Sequence, residues 1–206
     1  MTRSILERPG KTHFQNLGFL YTRLEVVIVT WQEIVENPSL AGLPFKIETN
    51  EFGQVVMSPT KYLHGIFQAR LSRLLETHLP NGIVSNETAI ETRKGVKVPD
   101  VAWSSFAFFE LHREEFALSS ATEICIEVIS NFKSRNLASP RFRHESPSNT
   151  VREIATKRKL FFERGALEVW TCDLEGNVHF YDAQGELEHS LLAPKFPKLV
   201  SLNIQS

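Results

Sequence analysis

The run EICIEVIS, residues 123–130, constrains the fold more than any other part of the chain. Its residues alternate as a β-strand does, with Ile124, Ile126 and Val128 on one side and Glu123, Cys125 and Glu127 on the other. A strand this apolar belongs inside a sheet, which places Glu127 where an ionised carboxylate is costly unless it is paired, hydrogen-bonded or metal-bound. A second acid is placed similarly, since Asp100 follows Pro99 at the start of the apolar run DVAW.

The segments on either side supply the rest of an α/β sheet. TWQEIVEN offers Thr30 as a helix N-cap with Glu33 three positions on, a capping-box spacing, and Asn37-Pro38 ends that helix. PFKIETNEFGQVVMSP reads as a β-hairpin turning over residues 50–53. KYLHGIFQARLSRLLETHL has apolar residues at 63, 66, 67, 71, 74 and 75, the spacing of an amphipathic helix, with Gly82 expected as its stop signal. A polar-alternating strand, a basic glycine-containing turn and a strand starting near Pro99 follow, then a loop with a short helix over 105–122. TVREIATKRKLFFERG reads as a second helix with Thr150 and Glu153 as a capping box and Gly165 at its C-terminal cap. LEVWTCD, NVHFYD and ELEHSLL alternate as strands joined by tight turns at Gly176 and Gly185. The order hairpin, helix, strands, helix, strands implies a sheet with a helix on at least one face. Residues 1–29 read as a poorly defined N-terminal extension, and 30–206 as a single domain.

Composition narrows the function classes. With 206 residues, 42% apolar and 23% charged, the chain can bury a sizeable core without disulfides or structural metals. Its formal net charge of −1 gives no global basic field, so any nucleic-acid recognition must come from a local patch. Cys125 and Cys172 lie in apolar strand-like runs and fit neither a disulfide framework nor a zinc motif, which leaves core packing. The apolar stretches are far shorter than the roughly 20 residues of a membrane helix. The first residues, MTRSILERPGKTHF, lack the apolar stretch of a secretory signal, and a reducing cytoplasm is the expected setting.

Two carboxylates such as Asp100 and Glu127, brought together on neighbouring strands, repel, and a divalent cation relieves the repulsion. Hard cations such as Mg²⁺ or Mn²⁺ favour such oxygen ligands, and can polarise a phosphoryl oxygen and acidify a bound water. A lysine nearby would steady the charge that develops on the phosphoryl group. The alternative is structural: Asp100 starts a strand beside a turn, and Glu127 pairs with an arginine or lysine.

The segments TWQEIVEN, FKIETNEFGQVVMSP, His64-Gly65, VPDVAW, EICIEVIS, SPSNT and KRKLFFERGALEVWTCD occur in one order over residues 30–182. In that ordered combination the chain resembles the Uma-type putative restriction endonucleases, a branch of the PD-(D/E)XK nuclease superfamily. The resemblance implies a restriction-endonuclease-like mixed β-sheet flanked by α-helices. It implies a metal-dependent endonuclease that hydrolyses phosphodiester bonds of DNA, with Mg²⁺ or Mn²⁺ as cofactor. Asp100 matches the family's PD aspartate and Glu127 the glutamate of its E-V-[IL]-S strand; with Val128 they are the residues implied to hold the metal. In the wider superfamily a lysine stands two residues past that glutamate, a position filled here by Ile129. The Uma-type branch that the chain resembles supplies it from the next helix, eight residues before a glycine, which counted back from Gly165 implies Lys157. Helical periodicity puts Lys157 and Lys159 on opposite edges of the apolar stripe and Arg158 near its middle, so it admits Lys157 without choosing it.

Glu48 matches the acid of the family's first strand and completes the implied catalytic set with Asp100, Glu127 and Lys157; an exposed strand acid is the other reading. His64, at a helix start, could touch substrate or phosphate, or be a plain surface or helix-start histidine. Residues 131–145 depart from the family pattern, with Lys133, Arg135, Arg141, Arg143 and His144 in an insertion ahead of SPSNT. That insertion reads either as a basic flap contacting phosphates or as a tolerated surface loop. A single-site enzyme that cuts both strands implies a homodimer. A catalytically inactive nuclease-like module that binds nucleic acid or a partner is the alternative function.

Overall fold

The computed structural model describes residues 30–59, 61–129 and 151–202. The expectations for residues 1–29, for Thr150 as a cap and for the 131–145 insertion lie outside those residues.

Helix α1, Trp31–Val35, starts with the expected capping box: Glu33 N–H donates to Thr30 Oγ1 at 3.3 Å, and Thr30 N–H donates to Glu33 Oε2 at 2.7 Å. Strands β1, Phe45–Thr49, and β2, Val55–Pro59, form the expected antiparallel hairpin. The hairpin is a two-stranded ribbon of its own, separate from the main sheet.

Helix α2, Tyr62–His78, buries His64, Phe67, Leu71 and Leu75. The buried face is rotated from the expected stripe: Leu63 is exposed and His64 faces inward. Gly82 is not the helix stop. The chain leaves α2 at Leu79, whose carbonyl accepts from Trp103 Nε1–H at 3.0 Å. Gly82 instead opens β3, Gly82–Asn86, where a Cβ would collide with the Ser104 carbonyl and the Trp103 ring.

The stretch expected to hold two strands holds four: β3, then β4, Ile90–Thr92, β5, Gly95–Lys97, and β6, Val101–Ser105. Glu87, at φ 54°, ends the first run, and the turn at Arg93–Gly95 folds β4 and β5 into a second small ribbon. Helix α3 spans Phe106–His112. Strand β7, Ile124–Ile129, is followed by α4, Val151–Glu163, with Gly165 beyond it at φ 100°. Strands β8, Glu168–Asp173, β9, Val178–Tyr181, and β10, Glu186–Leu187, complete the order.

Six strands form a mixed sheet in the order β10-β9-β8-β7-β6-β3. β7 and β8 are parallel, a pairing that needs a crossover such as α4 between them, and the other described neighbours are antiparallel. The alternation of β7 then divides the core in two. Ile124, Ile126 and Val128 join Phe67, Leu71 and Leu75 of α2 with Trp170 and Phe180 on one face. Cys125 joins Phe161, Val169 and Ile90 on the other. The two cysteines are buried on opposite faces as free thiols, and burial pushes each up to about 12.

Candidate active site

Asp100 stands just before β6, where that strand parts from β7. Its N–H continues the ladder by donating to the Ile126 carbonyl at 2.9 Å. Beyond that point β7 has no β6 residue opposite it, and the Asp100 side chain takes the place of one, with Oδ2 accepting from Val128 N–H at 2.6 Å. The carboxylate is therefore fully buried (0% exposed) because it finishes a sheet edge.

Glu127 points to the opposite side of β7 from Ile126 and Val128, toward α4. The crossover explains why Lys157 meets it. α4 runs back between two parallel strands, so one helical turn toward its N-terminus, from Phe161 to Lys157, advances about 6 Å along β7. Two residues of strand, from Cys125 to Glu127, advance about 6.6 Å in the same direction. Phe161 packs with Cys125, and Lys157 Nζ lies 3.3 and 3.4 Å from the two Glu127 oxygens. Lys159 is exposed, and the Arg158 guanidinium lies over the Tyr181 ring, 3.8 Å from its centroid. Periodicity left the choice open, and it is Lys157 that is buried.

The β1 strand of the hairpin closes the cluster. Lys46 and Glu48, two residues apart, share its inward face. Glu48 Oε1 accepts from Lys157 Nζ at 2.7 Å and from Val98 N–H at 3.0 Å, and Lys97 Nζ lies 3.9 Å from Oε2. Glu48 is therefore a buried member of the cluster and not an exposed strand acid. Lys46 Nζ donates to Asp100 Oδ1 at 2.7 Å and lies 3.6 Å from Glu127 Oε2. From α2, His64 brings Nε2 to 3.2 Å from Asp100 Oδ1, and Gln68 donates to the Asp100 carbonyl at 3.3 Å. His64 begins a helix as expected, but it is buried against the aspartate and does not lie on the surface.

The acids of the cluster titrate in different directions. Burial pushes Asp100 up, but the Lys46 ammonium and His64 outweigh it and hold the carboxyl well below its usual range. Glu48 is also held low, because Lys157 and Lys46 outweigh its burial. Glu127 goes the other way, pushed up to about 7 by burial, with Asp100 and Glu48 adding to the push against the two lysines. The contacts account for the contrast. Asp100 and Glu48 each hold a 2.7 Å ammonium contact and a backbone N–H, whereas the ammonium contacts to Glu127 run from 3.3 to 3.6 Å. Lys157 is held above its usual range, since the surrounding carboxylates outweigh its burial.

The donor set suits a hard cation: Asp100 Oδ1 and Glu127 Oε2 already face one cationic group between them. Among the described residues, no group of three or more His, Cys, Asp and Glu side chains is spaced to hold a metal. The protein would thus supply two carboxylates, as Mg²⁺ sites that retain several waters commonly do. Val128, the third implied metal residue, could act only through its carbonyl; its observed contact with the cluster is its N–H to Asp100. Sequence reasoning missed Lys46, Lys97 and Gln68. A signal for Lys46 was present, because any strand that turns Glu48 inward turns the residue two before it inward as well.

Residues 43–193 match a family described as Uma2, putative restriction endonuclease. The fold is similar to the crystal structure of a putative nuclease belonging to DUF820 from Anabaena variabilis, with a TM-score of 0.54 and 16% sequence identity, covering 77% of this chain and 82% of that one. No curated protein matches the chain.

Proposed function

We propose that this chain, which belongs to the Uma2 family of putative restriction endonucleases, is a divalent-metal-dependent endonuclease that hydrolyses phosphodiester bonds of DNA. The observation that carries this reading is the pair of buried carboxylates, Asp100 and Glu127, turned toward one cationic position with the Lys157 ammonium against Glu127. Asp100 and Glu127 would hold Mg²⁺ or Mn²⁺, with Val128 as the further implied ligand. When bound, such a metal polarises a phosphoryl oxygen and makes a water acidic enough to attack near neutral pH.

The chain's own residues have distinct parts. Lys157, fixed by Glu48, offers its ammonium to negative charge on the phosphoryl oxygens. Val128 N–H and His64 hold the Asp100 carboxylate in one orientation. Among the described residues no helix is long and apolar enough to cross a membrane. The proposed setting is the cytoplasm, and cutting both strands of a duplex with one site per chain would call for a homodimer.

The test is nicking of plasmid DNA with Mg²⁺ or Mn²⁺. Asp100→Ala and Glu127→Ala should each abolish it while circular dichroism reports a folded chain, and Lys157→Ala should lower it about a hundredfold. Cleavage at the wild-type rate in both carboxylate variants would reject the reading. One observation favours a second reading, a nuclease-like module that binds DNA without cutting it: Lys46 already compensates the carboxylate pair. That module would bind DNA in a salt-sensitive way and show no turnover with any divalent metal.

A further inference from the structure

We infer that Lys46 is a tethered counter-ion of the metal site, whose ammonium must leave the space between Asp100 and Glu127 before a divalent cation can bind them. The inference rests on the metal-dependent reading above and adds a residue that the family pattern did not single out.

The geometry is specific to this lysine. Lys46 Nζ is 2.7 Å from Asp100 Oδ1 and 3.6 Å from Glu127 Oε2, so it bridges one oxygen of each carboxylate. A Mg²⁺ ion held by these two carboxylates would take oxygen ligands at about 2.1 Å and would need the space that the ammonium fills. Two cations a few ångströms apart in a buried site repel strongly, so the ion and the ammonium exclude each other. Lys157 is placed differently: it lies 3.4 Å from Glu127 Oε2, but Glu48 holds it at 2.7 Å, so it flanks one carboxylate where Lys46 bridges the pair.

Lys46 is also placed to move. It stands on the two-stranded β1–β2 ribbon and not in the six-stranded sheet. Its ammonium ends a flexible four-carbon stem, unlike the Asp100 carboxylate, which is pinned by the Val128 amide. Without metal, Lys46 supplies the charge that lets two buried acids coexist, so the fold need not wait for an ion. The consequence is competition, since every metal that binds must displace a charge-assisted contact.

Mn²⁺ binding by calorimetry, together with metal-free melting, tests this on the full chain. Lys46→Met should bind Mn²⁺ at least about tenfold more tightly than wild type while melting at a lower temperature without metal. Lys159→Met, which removes a charge from the exposed side of α4, should bind as wild type does. Equal or weaker binding by Lys46→Met, with wild type still binding Mn²⁺, overturns the inference and leaves the nuclease reading standing. Absence of binding in both overturns both. If Lys46→Met does not fold, the wild type decides through amine acylation read by mass spectrometry. Saturating Mn²⁺ should raise the labelling of Lys46 relative to exposed Lys159, and a Lys46 that stays as protected as before overturns the inference.

Discussion

Asp100 and Glu127 share one cluster and one neighbouring ammonium, yet their linkage to stability runs in opposite directions. Glu127 has an ordinary value of 4.5 and is raised to about 7, so across that interval the folded chain keeps a proton that the unfolded chain has lost. Its contribution is fully present below pH 4.5 and is lost as pH rises through 7, and a shift of this size corresponds to about 3 kcal/mol. Asp100 and Glu48 are depressed from 3.8 and 4.5, so their contributions hold above those values and are lost as pH falls below them. Glu127→Gln should therefore flatten the decline in metal-free stability between pH 4.5 and 7 and leave the acid limb in place. Urea midpoints measured across pH 3 to 8 would read this, and an unchanged slope between the two values would mean that Glu127 is not its source.

At the scale of elements, the site depends on how the first ribbon is fastened to the second. Val96 N–H donates to Thr49 Oγ1 at 2.7 Å, Lys97 Nζ donates to the Thr49 carbonyl at 2.7 Å, and Val98 N–H donates to Glu48. Gly95 makes the close approach feasible: at φ 83°, a Cβ there would run into the Asn50 and Thr49 carbonyls. Gly95→Ala should cost about 1–3 kcal/mol and loosen the hold of β1 on the cluster, visible as a lowered denaturant midpoint and as faster acylation of Lys46. These links also mark where the sequence stops being legible. The α1 capping box, the hairpin and the alternation of β7 are local patterns, and each could be read from its own segment. The inward turn of His64 and the use of Gly82 under Trp103 come from packing partners far along the chain, which periodicity does not register. The choice of Lys157 over Lys159 needs the direction of α4 relative to β7, a topological fact; once the strands are known to be parallel, spacing along helix and strand gives it. Lys46 is legible only through Glu48, because a lysine in a strand taken alone ordinarily faces water.

Across the whole molecule, the core is closed by a C-terminal segment that forms no described helix or strand. Val200 N–H donates to the Gly176 carbonyl and Val178 N–H to the Lys198 carbonyl, both at 2.8 Å, which fastens the tail to the turn between β8 and β9. Phe196 then packs among Trp170, Phe180 and His78, with ring centroids 4.7, 6.3 and 5.4 Å away. Phe196→Ala should lower stability by about 3–5 kcal/mol by denaturant titration, far more than its place in an irregular segment suggests. The same layering bears on the two thiols. Cys125 and Cys172 lie on opposite faces of one sheet, so the chain's own cysteines cannot join without the sheet coming apart. Buried and hard to ionise, both are poor targets for alkylation. The native chain thus offers a silent background on which a single cysteine introduced on the β1–β2 ribbon would carry a spin label or fluorophore alone, reporting the ribbon's position with no other cysteine removed.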